Sequence, residues 1–440
     1  MTDDLRALLA AIADDPADDT VRLAYADCLD EHDNHHRADF IRLQIEAERL
    51  HPDSNARADL EKQAEALFAE LWTAWWGEVC AAVGFPPPVP EVGFLGRIAR
   101  RAGFSPGANP YHRDRFAVRW DVPAVESGYV RELSGVEFRR GFPEAVHFTL
   151  APPPGLQAWR AASPLAALTC DNPMGDMFDD GPHLAGVRSL TLSDHEPAVL
   201  LIAMRSPHFA RLEELRLCGH EARATERELL PDELAWLVES PRTRQLKRLG
   251  IPVWTDRTAD ALAAAENLAA LEGLEILLPP AGTFDRAAAG ARLATLARSP
   301  HLAGLRELKV VGGLEAGGVE AAVRNPTWTG LRKIDLDVAA WHDPLVPLLG
   351  ADGLPELDEF RLSGMRYDAI DLTVLANSPL LKRLRHFAVR GRPGATAEFD
   401  VAYAVDAGRI ETFAIAAQDT FPRVVAMLRD RFGDRLRLLE

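Results

Sequence analysis

One short apolar pattern, L-x-x-L-x-L with other apolar residues allowed, recurs through most of this chain and limits what it can fold into. Clear copies are Leu212-Leu215-Leu217, Leu246-Leu249-Ile251, Leu271-Leu274-Ile276, Leu305-Leu308-Val310, Leu331-Ile334-Leu336, Leu357-Phe360-Leu362, Leu384-Phe387-Val389 and Ile410-Phe413-Ile415. Weaker copies begin at Leu133, Leu165, Val187 and Gly433. From Leu212 onward the first positions lie 34, 25, 34, 26, 26, 27, 26 and 23 residues apart. The alternation within each copy suits a strand with one apolar face. A second mark keeps the same phase. A Ser-Pro, Asn-Pro or Gly-Pro pair stands six residues ahead of the leading apolar residue, at Gly181, Ser206, Ser240, Ser299, Asn325 and Ser378. Proline cannot continue a helix interior, so each pair is expected to end a helix before the next strand. "RAAAGARLATLA" (Arg286 to Ala297) and "DLTVLA" (Asp371 to Ala376) supply helical stretches between strands.

A strand-helix unit of this period has leucine-rich-repeat spacing, with two insertions. The expected fold class is α/β: a small helical domain (1–84), a proline- and arginine-rich connector (85–130) and an irregular leucine-rich-repeat-like solenoid with a parallel sheet (131–440). Stacked units would share one apolar interior. One usual mark is missing. The asparagine or cysteine that often follows the third apolar position is replaced by His220, Trp254, Pro279, Gly313, Ala339, Met365 and Arg392. No asparagine ladder is therefore expected.

In such a stack, equivalent residues of neighbouring strands lie about 4.8 Å apart. The outward third position reads Glu214, Arg248, Gly273, Glu307, Lys333, Glu359, His386. The outward fifth reads Arg216, Gly250, Glu275, Lys309, Asp335, Arg361, Ala388. Sign alternates at every step from Glu307 to Glu359 and from Glu275 to Arg361. Cross-strand opposite charges attract, so a self-neutralising concave face is expected. Glu307, Lys309, Lys333, Asp335, Glu359 and Arg361 are the candidate protein-binding residues there. Trp254, Tyr367 and Arg390, each just past a repeat unit, are candidate anchors.

The N-terminal segment reads as helices. Leu5, Leu8, Leu9 and Ile12 fall at helical spacing, and Asp14-Asp15-Pro16 stops that helix. Asp18 or Asp19 can cap a second helix, with Asp18 four residues before Arg22 in the order that favours an ion pair. Asn34 can cap a third helix, and a fourth runs from about Ala56 to Val83. Between the second and third, "YADCLDEHDNHHRADFIRLQ" (Tyr25 to Gln44) concentrates Cys28, His32, His35 and His36 among carboxylates. A zinc site needs three or four converging ligands. His35 and His36 point about 100° apart on a helix, and Cys28 lies on the apolar face. We read the segment as a capped, ion-paired inter-helix turn, with a metal-binding or hydrolytic site at Cys28–His36 as the alternative.

"LLAAIADDPADDTVRLAYADCLDEHDNHHRADFIRLQIEAERL" (Leu8 to Leu50) resembles the bacterial repeat-companion domain. The matching positions are Pro16, Asp19, Arg22, Leu23, Tyr25, Ala26, Asp27, Leu29, Glu31, Arg37, Phe40, Ile41, Arg42 and Gln44. Cys28 stands where the family pattern usually has Trp. "EFRRGFPEAV" (Glu137 to Val146) resembles the family's entry into its repeats. The resemblance implies a module heading leucine-rich-like repeats and implies no catalytic activity. Arg22, Asp27, Glu31 and Arg37 are expected to form an ion-pair net locking helices two and three.

Charge and motifs narrow the function. The formal net charge of -17 disfavours general adhesion to polyanions. Residues 97–119 hold six arginines among aromatics, which keeps RNA binding through Arg97–Trp120 as a second alternative. Four dispersed cysteines with no C-x-x-C suit a reducing compartment. No secretory signal and no run of 18 apolar residues is found, so a cytoplasmic, membrane-free chain is expected. G-x-S-x-G, H-E-x-x-H, P-loop and dinucleotide patterns are absent. The leading expectation is a protein-protein interaction scaffold with no cofactor, no metal and no catalysis, whose partner is a protein; nucleic acid is not expected.

Overall fold

The computed structural model describes residues 2–83, 117–119, 132–149, 159, 163–171, 173, 178, 181–193, 197–217, 229–278, 286–312, 326–337, 354–366, 379–380, 382–392, 408–416 and 422–439. They belong to two compact units, Met1–Pro52 with Ala56–Glu226, and Asp53–Asn55 with Arg227–Glu440. The protein is α/β, with a helical N-terminal part followed by mostly parallel strands.

The first unit begins with α1 (Asp3–Asp14), α2 (Asp19–Glu31), α3 (His35–Arg49) and α4 (Asn55–Val83). Thr2 caps α1, its hydroxyl accepting from Leu5 N. Asp18 caps α2, its carboxylate accepting from Thr20 N at 2.8 Å. That bond takes Asp18 away from Arg22, which points inward instead. Asn34 occupies the cap position of α3 but makes no side-chain cap bond. The reversal there rests on Asp33, at φ 60°. Leu5, Leu9, Ile12, Tyr25, Leu29, Ile41 and Ile45 form the helical core, and Cys28 packs against it as a small hydrophobe.

Strands β1 (Ala117–Arg119), β2 (Glu132–Arg139) and β3 (Phe142–Thr149) pair antiparallel in succession. The apolar copy beginning at Leu133 therefore lies in a hairpin and not in a parallel unit. Parallel pairing starts at β3 and continues through β4 (Ala167–Asp171), β5 (Ser189–Ser193) and β6 (Glu214–Arg216). Val146, Leu168, Leu190 and Leu215 align in one row, and Phe148, Cys170 and Leu192 in the next. All are buried. α5 (Pro197–Arg205) lies between β5 and β6.

The second unit holds β7 (Arg248–Pro252), β8 (Gly273–Leu277), β9 (Glu307–Val311), β10 (Lys333–Asp337), β11 (Glu359–Arg366), β12 (His386–Arg392), β13 (Thr412–Ala416) and β14 (Leu436–Leu439). Each pairs in parallel with the next. The second apolar positions align as Leu249, Leu274, Leu308, Ile334, Phe360, Phe387, Phe413 and Leu436. In the aromatic part, Phe360, Phe387, Phe413 and Phe432 follow one another at centroid distances of 6.1, 5.7 and 4.9 Å. Between strands lie α6 (Pro231–Glu239), α7 (Asp256–Ala264) and α8 (Arg286–Ala297); α9 (Pro422–Phe432) precedes β14. The helix read from residues 286–297 is α8. The stretch at 371–376 and the pair at Ser378 lie outside the described residues.

The proline pairs do more than end helices. Their prolines open 3-10 turns at Pro182–Gly186, Pro207–Phe209, Pro241–Gln245, Pro300–Leu302 and Pro326–Trp328. Each turn hands the chain to the leading apolar residue. Leu212 N, Leu246 N, Leu305 N and Leu331 N donate to turn carbonyls at 3.1–3.3 Å. The serines matter as much as the prolines. Ser206, Ser240 and Ser299 accept from the N–H two residues on. Ser206 also donates to Phe178 O at 3.1 Å and Ser299 to Ala263 O at 2.5 Å, tying the turn to preceding chain. These hydroxyls satisfy local backbone where the sequence lacks an asparagine ladder. Ser299→Ala should therefore cost about 1–2 kcal/mol, read as a lower denaturant midpoint with unchanged slope. An unshifted midpoint would remove that role.

Candidate functional site

In the first unit the helices and the strands meet at one turn of chain. β2 and β3 are joined by Arg140 and Gly141, at φ 45° and 87°. Positive φ at both central residues defines the tight hairpin turn that matches strand twist. This turn sits between α2 and α3. Gly141 N donates to Gln44 Oε1 at 2.6 Å, and Gln44 Nε2 donates to Phe138 O at 3.4 Å. Arg22 donates to Pro16 O at 3.1 and 2.6 Å and to Arg140 O at 3.3 Å. It also forms an ion pair with Glu144, both side chains being buried. The Phe142 ring receives the Arg22 guanidinium at 5.2 Å and the Tyr25 ring at the same centroid distance. Arg140 reaches Asp19 on α2 and Glu48 on α3, both at 3.4 Å. Burial holds the Glu144 carboxyl above its ordinary value, opposed by Arg22, Arg140 and Arg139.

The expected ion-pair net is replaced by a different one. Arg22 faces Glu144, and Arg37 pairs with Glu78 on α4 at 2.8 Å. Asp27 and Glu31 are exposed on α2. The link between α2 and α3 is made by Arg42, which meets Asp27 and Asp30 at 2.7 Å each. Helix geometry explains the difference. Residues 22 and 27 lie about 140° apart around α2, so one faces the hairpin and the other water. Glu144 and Arg140 were missed in the sequence. The available signal was a lone carboxylate inside an apolar strand, just after an R-G turn.

The Cys28–His36 cluster separates into local contacts. His32 Nδ1 lies 2.7 Å from Cys28 O, and His35 Nδ1 lies 3.0 Å from Asp30 Oδ1. The Cys28 thiol is pushed up by burial and by Glu31, which keeps it protonated. Among the described residues no three His, Cys, Asp or Glu side chains are grouped to hold a metal. Most of Arg97–Trp120, the other alternative site, lies outside the described residues.

In the second unit the outward strand positions form the charged ladder that the repeat register predicts. Glu307 aligns with Lys333, Lys333 with Glu359 and Glu359 with His386. Beside this row, Glu275, Lys309, Asp335 and Arg361 align in turn. Lys309 meets Glu275 at 2.5 Å, Lys333 meets Glu359 at 3.2 Å, and Arg248 meets Glu307 at 3.5 Å. Arg361 departs from a pure cross-strand pattern. It pairs along its own strand with Glu359 at 2.5 Å and with Asp53 at 2.9 Å. Burial would lower the Arg361 pKa, but Glu359, Asp53 and Asp335 outweigh it and raise it. Arg248 and Glu307 remain about half exposed, whereas Asp335 and Arg361 are buried. Trp254 is half-buried after β7 and Arg390 lies on β12, while Tyr367 falls outside the described residues. Lys309→Glu would align three carboxylates, at 275, 309 and 335. It should cost about 1–3 kcal/mol by chemical denaturation, partly recovered by adding Glu275→Lys.

No helix among the described residues is long and apolar enough to cross a membrane. No protein-family model matches the chain, and no curated protein matches it in sequence.

Proposed function

We propose that this chain is a protein-interaction scaffold without catalytic activity, a bacterial repeat-companion module heading a leucine-rich-repeat-like solenoid. The observation that carries the reading is the ladder of paired outward charges on successive parallel strands in the second unit. Such a face offers area and a fixed charge pattern, not a cleft. Its charges largely neutralise one another, so affinity comes from a few exposed anchors and not from long-range attraction. Arg248 and Glu307 are the exposed charges of that ladder, and Trp254 stands at its edge. The companion module, by its resemblance, heads the stack. A cytoplasmic setting fits four cysteines dispersed along the chain with no C-x-x-C pair.

The test is capture from native extract with the purified full chain and with its Arg248→Glu and Glu307→Lys variants. The expected result is a discrete protein retained by the wild type and weakened at least about tenfold by either reversal. Identical retention by all three chains would count against this face. A purified chain that retains no protein would count against the scaffold reading itself.

A further inference from the structure

The strand entries of the second unit carry a further row of charges, one residue past each leading apolar position. Glu272, Arg306, Arg332, Asp358, Arg385 and Glu411 follow one another there, and each N–H after the first donates to the carbonyl of the residue before it in the row at 2.7–3.0 Å. Parallel strands lie about 4.8 Å apart, so these side chains are neighbours. The sign alternates at every step but one. Arg306 and Arg332 form a like pair in mid-row, and both are exposed. The charges around them are compensated. Arg385 meets Glu411 at 2.5 Å, Lys333 meets Glu359, and Glu307 meets Arg248. Glu272 has Lys247 on its far side, and Asp358 has Arg385, whose cation it supports. Among the described residues, the side chains of Arg306 and Arg332 form no ion pair and no hydrogen bond.

We infer that this doublet is the docking point for an acidic segment of a protein partner, two of whose carboxylates lie against the two guanidinium groups. The inference rests on the scaffold reading for the partner being a protein, and it adds that partner's chemistry. Like charges on adjacent strands destabilise each other. A carboxylate placed between them turns the repulsion into attraction, and a guanidinium fork takes a carboxylate through two parallel N–H···O bonds. The chain's net charge of -17 repels polyanions at long range. The doublet therefore selects a short acidic run at contact distance and not an extended polyanion such as nucleic acid.

The probe is a fluorescent oligo-glutamate peptide, titrated with the purified full chain at low salt and followed by anisotropy. Joint Arg306→Gln and Arg332→Gln substitution should weaken binding at least about tenfold. Joint Arg423→Gln and Arg429→Gln removes the same charge from exposed arginines on α9, and should weaken it less than about twofold. Equal weakening by the two variants, or no binding by the wild type, would overturn the inference. So would a thymidine oligonucleotide of equal length that binds the doublet more tightly than the peptide. Neutralising the doublet also removes a repulsion, so that variant should keep the wild-type urea midpoint or exceed it. A lower midpoint would assign the two arginines to folding and count against docking. Peptide binding through the doublet supports this inference even where extract yields no retained protein. Extract capture beside peptide binding indifferent to the doublet overturns this inference and leaves the scaffold reading standing.

Discussion

Arg22→Ala should destabilise the first unit by about 3–5 kcal/mol, the cost of leaving one partner of a buried ion pair alone. The substitution removes the guanidinium that meets Glu144, Pro16 O, Arg140 O and the Phe142 ring. Glu144 then remains buried on β3 beside an apolar core. Replacing both charges, Arg22→Met with Glu144→Leu, should cost less than either single removal, since no unpaired charge remains. Its residual loss, about 1–3 kcal/mol, reflects the carbonyls that Arg22 leaves unsatisfied. Urea unfolding followed by tryptophan fluorescence reads all three variants. Losses that simply add would mean that the pair does not act as a unit.

The same pair carries a pH dependence whose sign follows from linkage. Burial raises the folded Glu144 pKa above its ordinary 4.5. The folded unit therefore binds that proton more tightly than the unfolded chain. This group's contribution to stability is largest below pH 4.5 and declines as pH rises through the raised folded value. Arg22→Ala removes the strongest opposing charge and should make the decline steeper. Glu144→Gln should abolish this component. A Glu144→Gln chain with the same pH slope as wild type would assign the dependence to other groups.

Gly141→Ala is the second large effect. At φ 87° a side chain is strained, and an added Cβ would stand 2.0 Å from Ile41 Cγ1 and 3.2 Å from Ile41 Cα. Left-handed strain of about 1 kcal/mol adds to an overpacking cost of about 1–3 kcal/mol. The expected loss is about 2–4 kcal/mol in chemical denaturation. Gly433 provides the comparison. It has φ 55° but open space around the added atom, so Gly433→Ala should show only the strain. Equal losses at both glycines would show that the fit against Ile41 contributes nothing.

The strands and their register were legible because periodicity needs no partner to be read. Leucines two apart, spaced by a regular period, can bury themselves in few other ways, and the rows from Leu249 to Leu436 follow that arithmetic. The charge ladder was legible for the same reason: once strands align, residues at equal phase become neighbours. Helix ends at Asp14, Glu31 and Ala297 followed from turn and proline signals. Less of the candidate site could be read. Ser299 was seen as the companion of a proline, while its bonds to Ala263 and His301 depend on which carbonyl the fold brings near. Arg361 was assigned to cross-strand neighbours, yet Asp53, more than 300 positions away, is one of its partners.

By itself the sequence determined the local grammar of this protein: helices first, then apolar strands in phase, with outward charges alternating in sign. Those features depend on residues near one another in the chain or at a fixed period. Only tertiary structure decided where the buried charges found partners. Arg22 is separated from Glu144 by more than a hundred residues, and its choice of a strand over its own helix follows from which face the fold turns inward. Desolvation makes that choice costly to reverse, and desolvation is a property of the packed unit and not of any segment.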